Sequence, residues 1–243
     1  MKVTVRGKTA LGSLLLAHFL SSSTLVNAKS KPLIVNTWPF KEATFEAYNV
    51  LLTSPTSDPI DAVVAGCSKS EELQNDFTVG WGGSPDANGE TTLDALVMQG
   101  KDQNMGAVAG LRGIKDATKV ARDVFRLTKH SMLAGDLATQ FAISLGYKKE
   151  DLTSDHSRQQ HKDWLEIGCT PSFWIDGRGC NGTSDAGIAR RSLFNEHNHD
   201  TIGQIALQSD GRMAVGMSSN GATHKIPGRI GDAPVCFPLI NHI

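Results

Sequence analysis

The sequence predicts a protein of packed helix and sheet layers, α/β or α+β. Two observations carry that reading. Segments with strand character follow and precede segments whose apolar residues recur at helical spacing. The chain also has 243 residues, 40% hydrophobic and 20% charged, enough for one full-sized core or two small domains. Its 24 basic and 25 acidic residues give a formal charge of −1, so no basic excess points to nucleic acid or to anionic lipid. Four cysteines are too few for a disulfide-dominated scaffold, and 24 glycines predict tight turns and close backbone approaches.

Taken in order, the chain opens with Lys2, Arg6 and Lys8, then an apolar run from Ala10 to Leu20, then Leu25-Val26-Asn27-Ala28. This is the plan of a secretory signal peptide over residues 1–28, with an apolar run too short for the roughly 20 residues a bilayer requires. No long apolar run follows, so a soluble mature chain is expected, on a route that leads to a lysosome or out of the cell and permits disulfides. Leu33 to Thr37 reads as a short strand. Lys41 to Leu52 carries Phe45, Tyr48 and Leu52 at helical spacing. Ser57-Asp58-Pro59 supplies a capping oxygen and then Pro in a first turn, and the helix it starts places Ile60, Val63, Val64 and Cys67 on one face.

Val79 to Gly89 has the chemistry of a loop, and Leu93 to Met98 that of a strand. Lys115 to Lys129 is an amphipathic helix, and Gly135 to Leu145 a further helix. Asp151 to His199 is polar and irregular and reads as an exposed connection, functional or a linker. Thr201 to Leu207 and Arg212 to Ser218 read as strands joined at an Asp210-Gly211 turn. Cys169 and Cys180 bracket a turn-rich stretch that a disulfide would staple; no CxxC or paired-His spacing argues for zinc. Cys67 and Cys236 either pair or stay free. Asn181-Gly182-Thr183 is an N-glycosylation acceptor pattern.

Several motifs then stand together: Asn36-Thr37-Trp38-Pro39-Phe40, Gly82-Gly83-Ser84-Pro85, Gly89-Glu90-Thr91-Thr92-Leu93-Asp94-Ala95, Gly106-Ala107-Val108-Ala109, His199-Asp200-Thr201-Ile202-Gly203 and Gly228-Arg229-Ile230-Gly231-Asp232. With these the sequence resembles the glycosylasparaginases, of the N-terminal-nucleophile hydrolase superfamily, from about Pro32 to Pro234. The resemblance implies an α+β fold, the four-layer αββα sandwich, here incomplete at the C-terminus. It implies autocleavage between Asp200 and Thr201, giving an α-subunit of residues 29–200 and a β-subunit from Thr201. The pair would form an αβ heterodimer, in some cases a dimer of these. The implied reaction is hydrolysis of the amide joining N-acetylglucosamine to asparagine, without metal or organic cofactor.

Thr201 is the implied nucleophile. A Thr hydroxyl needs a base, and a freed α-amine with a pKa of about 7.7–8.0 can serve. The resemblance assigns Arg229 to the substrate α-carboxylate, for which its planar fork is suited. It assigns Asp232 to the α-ammonium, Gly231 to the same clamp and Trp38 to the pocket wall. Ser219 stands where the family has Thr, with a hydroxyl able to donate to the nucleophile. Cys169 and Cys180 correspond to a bonded pair. Ser70 and Asn75 stand where the family has cysteines, which takes away the usual partner of Cys67.

Similarity stops after Pro234, whereas family chains continue on the order of a hundred residues further. The part beyond Ile243 would hold a Thr-Gly pair that donates to the oxyanion, and one such donor is typically worth about 10²–10³ in rate. The sequence alone therefore predicts little or no glycosylasparaginase activity and slow autoprocessing. It leaves a catalytically impaired secreted protein, or an isoaspartyl peptidase or L-asparaginase, as alternatives.

Overall fold

The computed structural model describes residues 31–169, 172–175 and 201–235. The expected signal peptide, Cys180, Asn181, Asp200 and Cys236 lie outside the described residues. Six strands form one mixed sheet: β1 (Leu33–Asn36), β2 (Thr92–Gln99), β3 (Met105–Arg112), β4 (Met132–Ala134), β5 (Ile202–Leu207) and β6 (Met213–Ser219). Their spatial order is β1-β5-β6-β2-β3-β4, antiparallel throughout except for the parallel β3–β4 pair. The class is α+β as expected. Among the described residues there is one sheet with its helices, so the four-layer stacking is represented there by a single sheet.

Helices α1 (Lys41–Thr53), α2 (Pro59–Leu73) and α3 (Ala117–Leu127) cover one face of that sheet. Helix α2 starts as the sequence predicts: the Asp58 carboxylate accepts from Ile60 N at 3.0 Å and Pro59 fills the first turn. It lies close over β6 because Gly216 has no side chain. A Cβ there would meet Val63 at 2.8 Å and Cys67 Sγ at 3.1 Å. Ile60, Val63 and Leu51 pack with Val97, Ala206 and Ala214 in one cluster; Leu93, Ala95 and Val108 pack with Val120, Ala121 and Val124 in another. The hairpin closes at Asp210-Gly211, with Gly211 at φ +89 and Gln208 N bonded to Arg212 O at 2.8 Å.

The opposite sheet face carries Leu96, Met98 and Ala107, packed with Met105 and Met217. Towards β1 the same face carries Leu33, Val35 and Ile205, all exposed.

Three elements go beyond the sequence reading: α5, β3 and the three-residue β4. The stretch read as an irregular connection from Asp151 contains α5 (Asp155–Glu166), preceded by α4 (Gly135–Ser144). Ser154 caps α5 by accepting from Ser157 N, while the Ser157 hydroxyl accepts from Ser154 N, a reciprocal capping box. The helix shows little apolar periodicity because it buries few side chains, Trp164 chief among them. Strand β3 was hidden because it is built of small residues, and α3 requires them: a Cβ on Gly106 would lie 2.3 Å from Ala121 O.

Cys67 is buried and free, so of the two outcomes left open for it pairing is not the one found. Burial pushes its thiol up, further from ionisation. Where the resemblance puts cysteines, the Ser70 hydroxyl donates to Asn75 Oδ1 at 2.8 Å, a hydrogen bond that ties the end of α2 to the following turn.

Candidate active site

The site lies at one end of the sheet, on the face away from α1 and α2. Pairing of Ile202 with Ser218 and of Asp94 with Ser219 puts Thr201, Ser219 and Asp94 level on three adjacent strands. Thr201 sits just ahead of β5. The Trp38 indole N–H donates to Thr201 O at 2.9 Å, and the Thr201 hydroxyl donates to Asp232 Oδ1 at 3.0 Å. Thr37 brackets the next turn of backbone: its N–H donates to Gly203 O and its hydroxyl accepts from Gly203 N, both at 3.0 Å. The first residues of β5 are thereby held from the β1 side by two successive residues, Thr37 and Trp38.

Arg229 stands beside bare backbone. Its Nη1 is buried and has no hydrogen-bond partner. A Cβ on Gly221 would lie 3.2 Å from that nitrogen, and one on Gly231 3.1 Å from it. Gly221 has φ +73, a backbone conformation glycine adopts without penalty. Lys225 is also buried; it donates to Asn220 O at 2.6 Å, and its Nζ lies within 3.0 Å of the place a Gly221 Cβ would take. Two cationic side chains thus border Gly221, one of them with an unused donor. A buried unmet donor is costly, and a carboxylate would satisfy it.

The structure therefore brings Thr201, Trp38, Asp232, Arg229 and Gly231 together. It does not join Ser219 to Thr201: the buried Ser219 hydroxyl accepts from Gly221 N at 2.8 Å and makes no hydrogen bond to Thr201. Trp38 acts on the Thr201 carbonyl as well as standing beside the site. Cys169 is buried at the end of α5, and its expected partner Cys180 falls outside the described residues.

Sequence reasoning passed over three residues that build the site. Asp94 accepts from Gly231 N at 2.8 Å. Asn220 is bonded to Thr78 O, Phe77 O and Gly80 O, fixing the end of β6 on the 77–80 loop. Lys225 is the third. Asp94 stands in the motif Gly89 to Ala95 and Asn220 follows Ser219 directly, but nothing in their spacing marks them as buried. Among the described residues no three His, Cys, Asp or Glu side chains are grouped to hold a metal.

A cleft of about 590 Å³ lies elsewhere, lined by residues of α2 and α3 together with Trp81 and Glu150, and touches none of the site residues. Its lysines are already paired, Lys69 with Glu72, Lys115 with Glu150 and Lys119 with Asp116, which leaves it no unpaired cation for a ligand.

A family model described as asparaginase matches residues 12–237. The chain is 44% identical over 239 residues to the Mus musculus protein named N(4)-(beta-N-acetylglucosaminyl)-L-asparaginase, covering 94% of this chain and 68% of that one. The Rattus norvegicus protein of that name is 42% identical over 238 residues, with the same coverage. A Drosophila persimilis relative is 44% identical over 232 residues, 88% of this chain and 60% of its own. The chain thus spans between 60 and 68% of the length of these relatives.

Proposed function

The chain belongs to the asparaginase family, and from that premise we propose that it is an amidohydrolase that cleaves the bond between N-acetylglucosamine and asparagine, with Thr201 as nucleophile. The observation that carries the proposal is the pairing of the Thr201 hydroxyl with Asp232 at 3.0 Å beside a buried Arg229 Nη1 that has no partner. An asparagine bearing a free α-carboxylate and α-ammonium matches that pair of charges. Arg229 takes the carboxylate, Asp232 the ammonium, and the side-chain amide then projects towards Thr201.

The reaction begins with cleavage before Thr201, which frees its α-amine. That amine takes the hydroxyl proton as Oγ attacks the amide carbonyl carbon, and gives it to the departing glycosylamine nitrogen. A β-aspartyl ester remains on Thr201. Water attacks the ester carbon, aspartate leaves, and the hydroxyl is restored. Trp38 holds the Thr201 carbonyl, so the nucleophile keeps its direction through both steps.

The same reading includes a signal peptide over residues 1–28, entry to the secretory pathway with a lysosomal or extracellular end point, subunits 29–200 and 201–243, a glycan on Asn181 and a Cys169–Cys180 disulfide. Burial of Cys169 and the free state of Cys67 support that pairing. No helix among the described residues is long and apolar enough to cross a membrane.

The test is the full chain beside a Thr201→Ala variant, assayed on glycosylated asparagine, on free asparagine and on an isoaspartyl dipeptide. The proposal expects two chains by intact mass, split before Thr201, and turnover of the glycosylated substrate that disappears in the variant. A single uncut chain with no turnover would point to an inert relative. Preference for either unglycosylated substrate would move the assignment within the family.

A further inference from the structure

We propose that Asp94 is the positioning residue that holds the Arg229–Asp232 loop in register with Thr201; this rests on the amidohydrolase reading of that loop. Asp94 is 1% exposed, on β2, paired with Ser219 of β6. Both of its carboxylate oxygens are used on backbone. Oδ1 accepts from Gly110 N at 2.7 Å, and Oδ2 accepts from Gly231 N at 2.8 Å. A buried carboxylate is tolerated only when hydrogen-bonded, and bonds to a charged acceptor are the strong ones.

Gly231 lies between Arg229 and Asp232, so fixing its N–H fixes both. The loop's own backbone bonds are local: Arg229 N to Ile226 O and Val235 N to Asp232 O, each 2.9 Å. Those shape the turns without tying them to the sheet. Asp94 makes that tie, from the same strand level as Thr201. It binds the loop backbone and leaves the Arg229 guanidinium for a ligand. Gly231 leaves little room for a side chain at this junction: a Cβ there would lie 3.1 Å from Asp94 Oδ2 and 3.1 Å from Arg229 Nη1, so one of the two would have to shift by a few tenths of an ångström.

The experiment compares the full chain with Asp94→Asn and Gly231→Ala. An amide keeps the shape of Asp94 but turns an NH2 towards one of the two N–H donors. Hydrogen exchange resolved by residue should show Gly231 and Gly110 losing protection in Asp94→Asn, while the β5–β6 ladder keeps its own. Calorimetric titration with L-aspartate, and with succinate as the probe lacking an ammonium, should show aspartate affinity falling about tenfold or more in both variants, a displacement of well under 1 Å being enough for that. In turnover, KM should rise more than kcat falls.

Unchanged Gly231 protection in Asp94→Asn would overturn the proposal, as would lost protection with wild-type aspartate affinity. Protection lost throughout the sheet in Asp94→Asn would make Asp94 a general core residue and overturn it as well, as would wild-type aspartate affinity in Gly231→Ala, which keeps the carboxylate. A wild-type chain that ignores aspartate would defeat the amidohydrolase reading, while Gly231 exchange still decides whether Asp94 holds the loop.

Discussion

Thr201 is gripped at two points by different parts of the chain, its carbonyl by Trp38 from the segment after β1 and its hydroxyl by Asp232 from the loop after β6. The two grips are separable. Trp38→Phe keeps an aromatic body and removes the N–H together with the second ring of the indole. The Thr201 carbonyl then loses its donor, at a cost of about 1 kcal/mol of stability. On the proposed role of Thr201 the larger consequence is for catalysis, because its backbone is freed on one side. Turnover of glycosylated asparagine should drop by about tenfold or more, with a smaller change in KM, since Arg229 and Asp232 are untouched. Urea unfolding together with steady-state rates measures both. Rates equal to wild type in Trp38→Phe would show that Asp232 and the strand alone hold Thr201. The role of Trp38 as a donor to the Thr201 carbonyl was not legible in the sequence. An aromatic beside Thr37 and Pro39 signals only a wall, and its partner lies 163 positions away.

Among the elements, α5 shows what sequence patterning can and cannot reveal. Helices α1 to α4 and strands β1, β2, β5 and β6 announce themselves by apolar period, by the Asp58-Pro59 start or by the Asp210-Gly211 turn. Each of these is a local rule. Helix α5 obeys another local rule, the Ser154 capping box, but has no apolar stripe because it docks through rings. Trp164 stacks on His224 at 4.4 Å and His156 on Phe77 at 3.9 Å. Histidine and a lone Trp do not register as a hydrophobic face. The Ser154 hydroxyl also donates to Gly82 O, so one side chain both caps α5 and pins it to the loop that starts at Val79. Ser154→Ala should therefore cost more than an ordinary cap, at the upper end of about 0.5–2 kcal/mol. Calorimetry or urea unfolding would read the loss. A change within about 0.5 kcal/mol, the scale of a neutral surface substitution, would mean that α5 is held by its rings alone.

Two titratable groups, the buried Glu71 and the half-buried His224, join the parts of the whole molecule, and their effects on stability run in opposite directions. Glu71 ties α2 to α3 and β6, accepting from Thr118 N at 2.9 Å, from the Thr118 hydroxyl at 2.5 Å and from the Ser218 hydroxyl at 2.7 Å. Its Oε2 has no partner, and burial outweighs those three hydrogen bonds, with Asp116 adding repulsion. The carboxyl is pushed up to about 7. His224 joins the loop after β6 to Trp164 of α5; burial lowers it to about 4, against the pull of a hydrogen bond to the Gln160 backbone and with help from nearby His161.

From about pH 4.5 to 7 the folded chain keeps a proton on Glu71 that the unfolded chain has released. That contribution is fully present below pH 4.5 and is lost as pH rises through 7. From about pH 4 to 6.5 the unfolded chain keeps a proton on His224 that the folded chain has released, so this contribution is present above 6.5 and lost as pH falls through 4. Over the shared window the two slopes oppose. The Glu71 term amounts to roughly 3 kcal/mol across its window. His224 offsets only part of it, since its ring is partly open to water and screened. Glu71→Gln removes the first slope and leaves the second, so its stability should rise with pH between 4.5 and 6.5 relative to wild type. Urea midpoints of both proteins at half-unit steps from pH 4 to 7.5 give the difference directly, and groups common to both cancel. Curves that stay parallel across that range would mean the Glu71 carboxyl ionises near its ordinary value, and that the joint between α2, α3 and β6 is held as a carboxylate throughout.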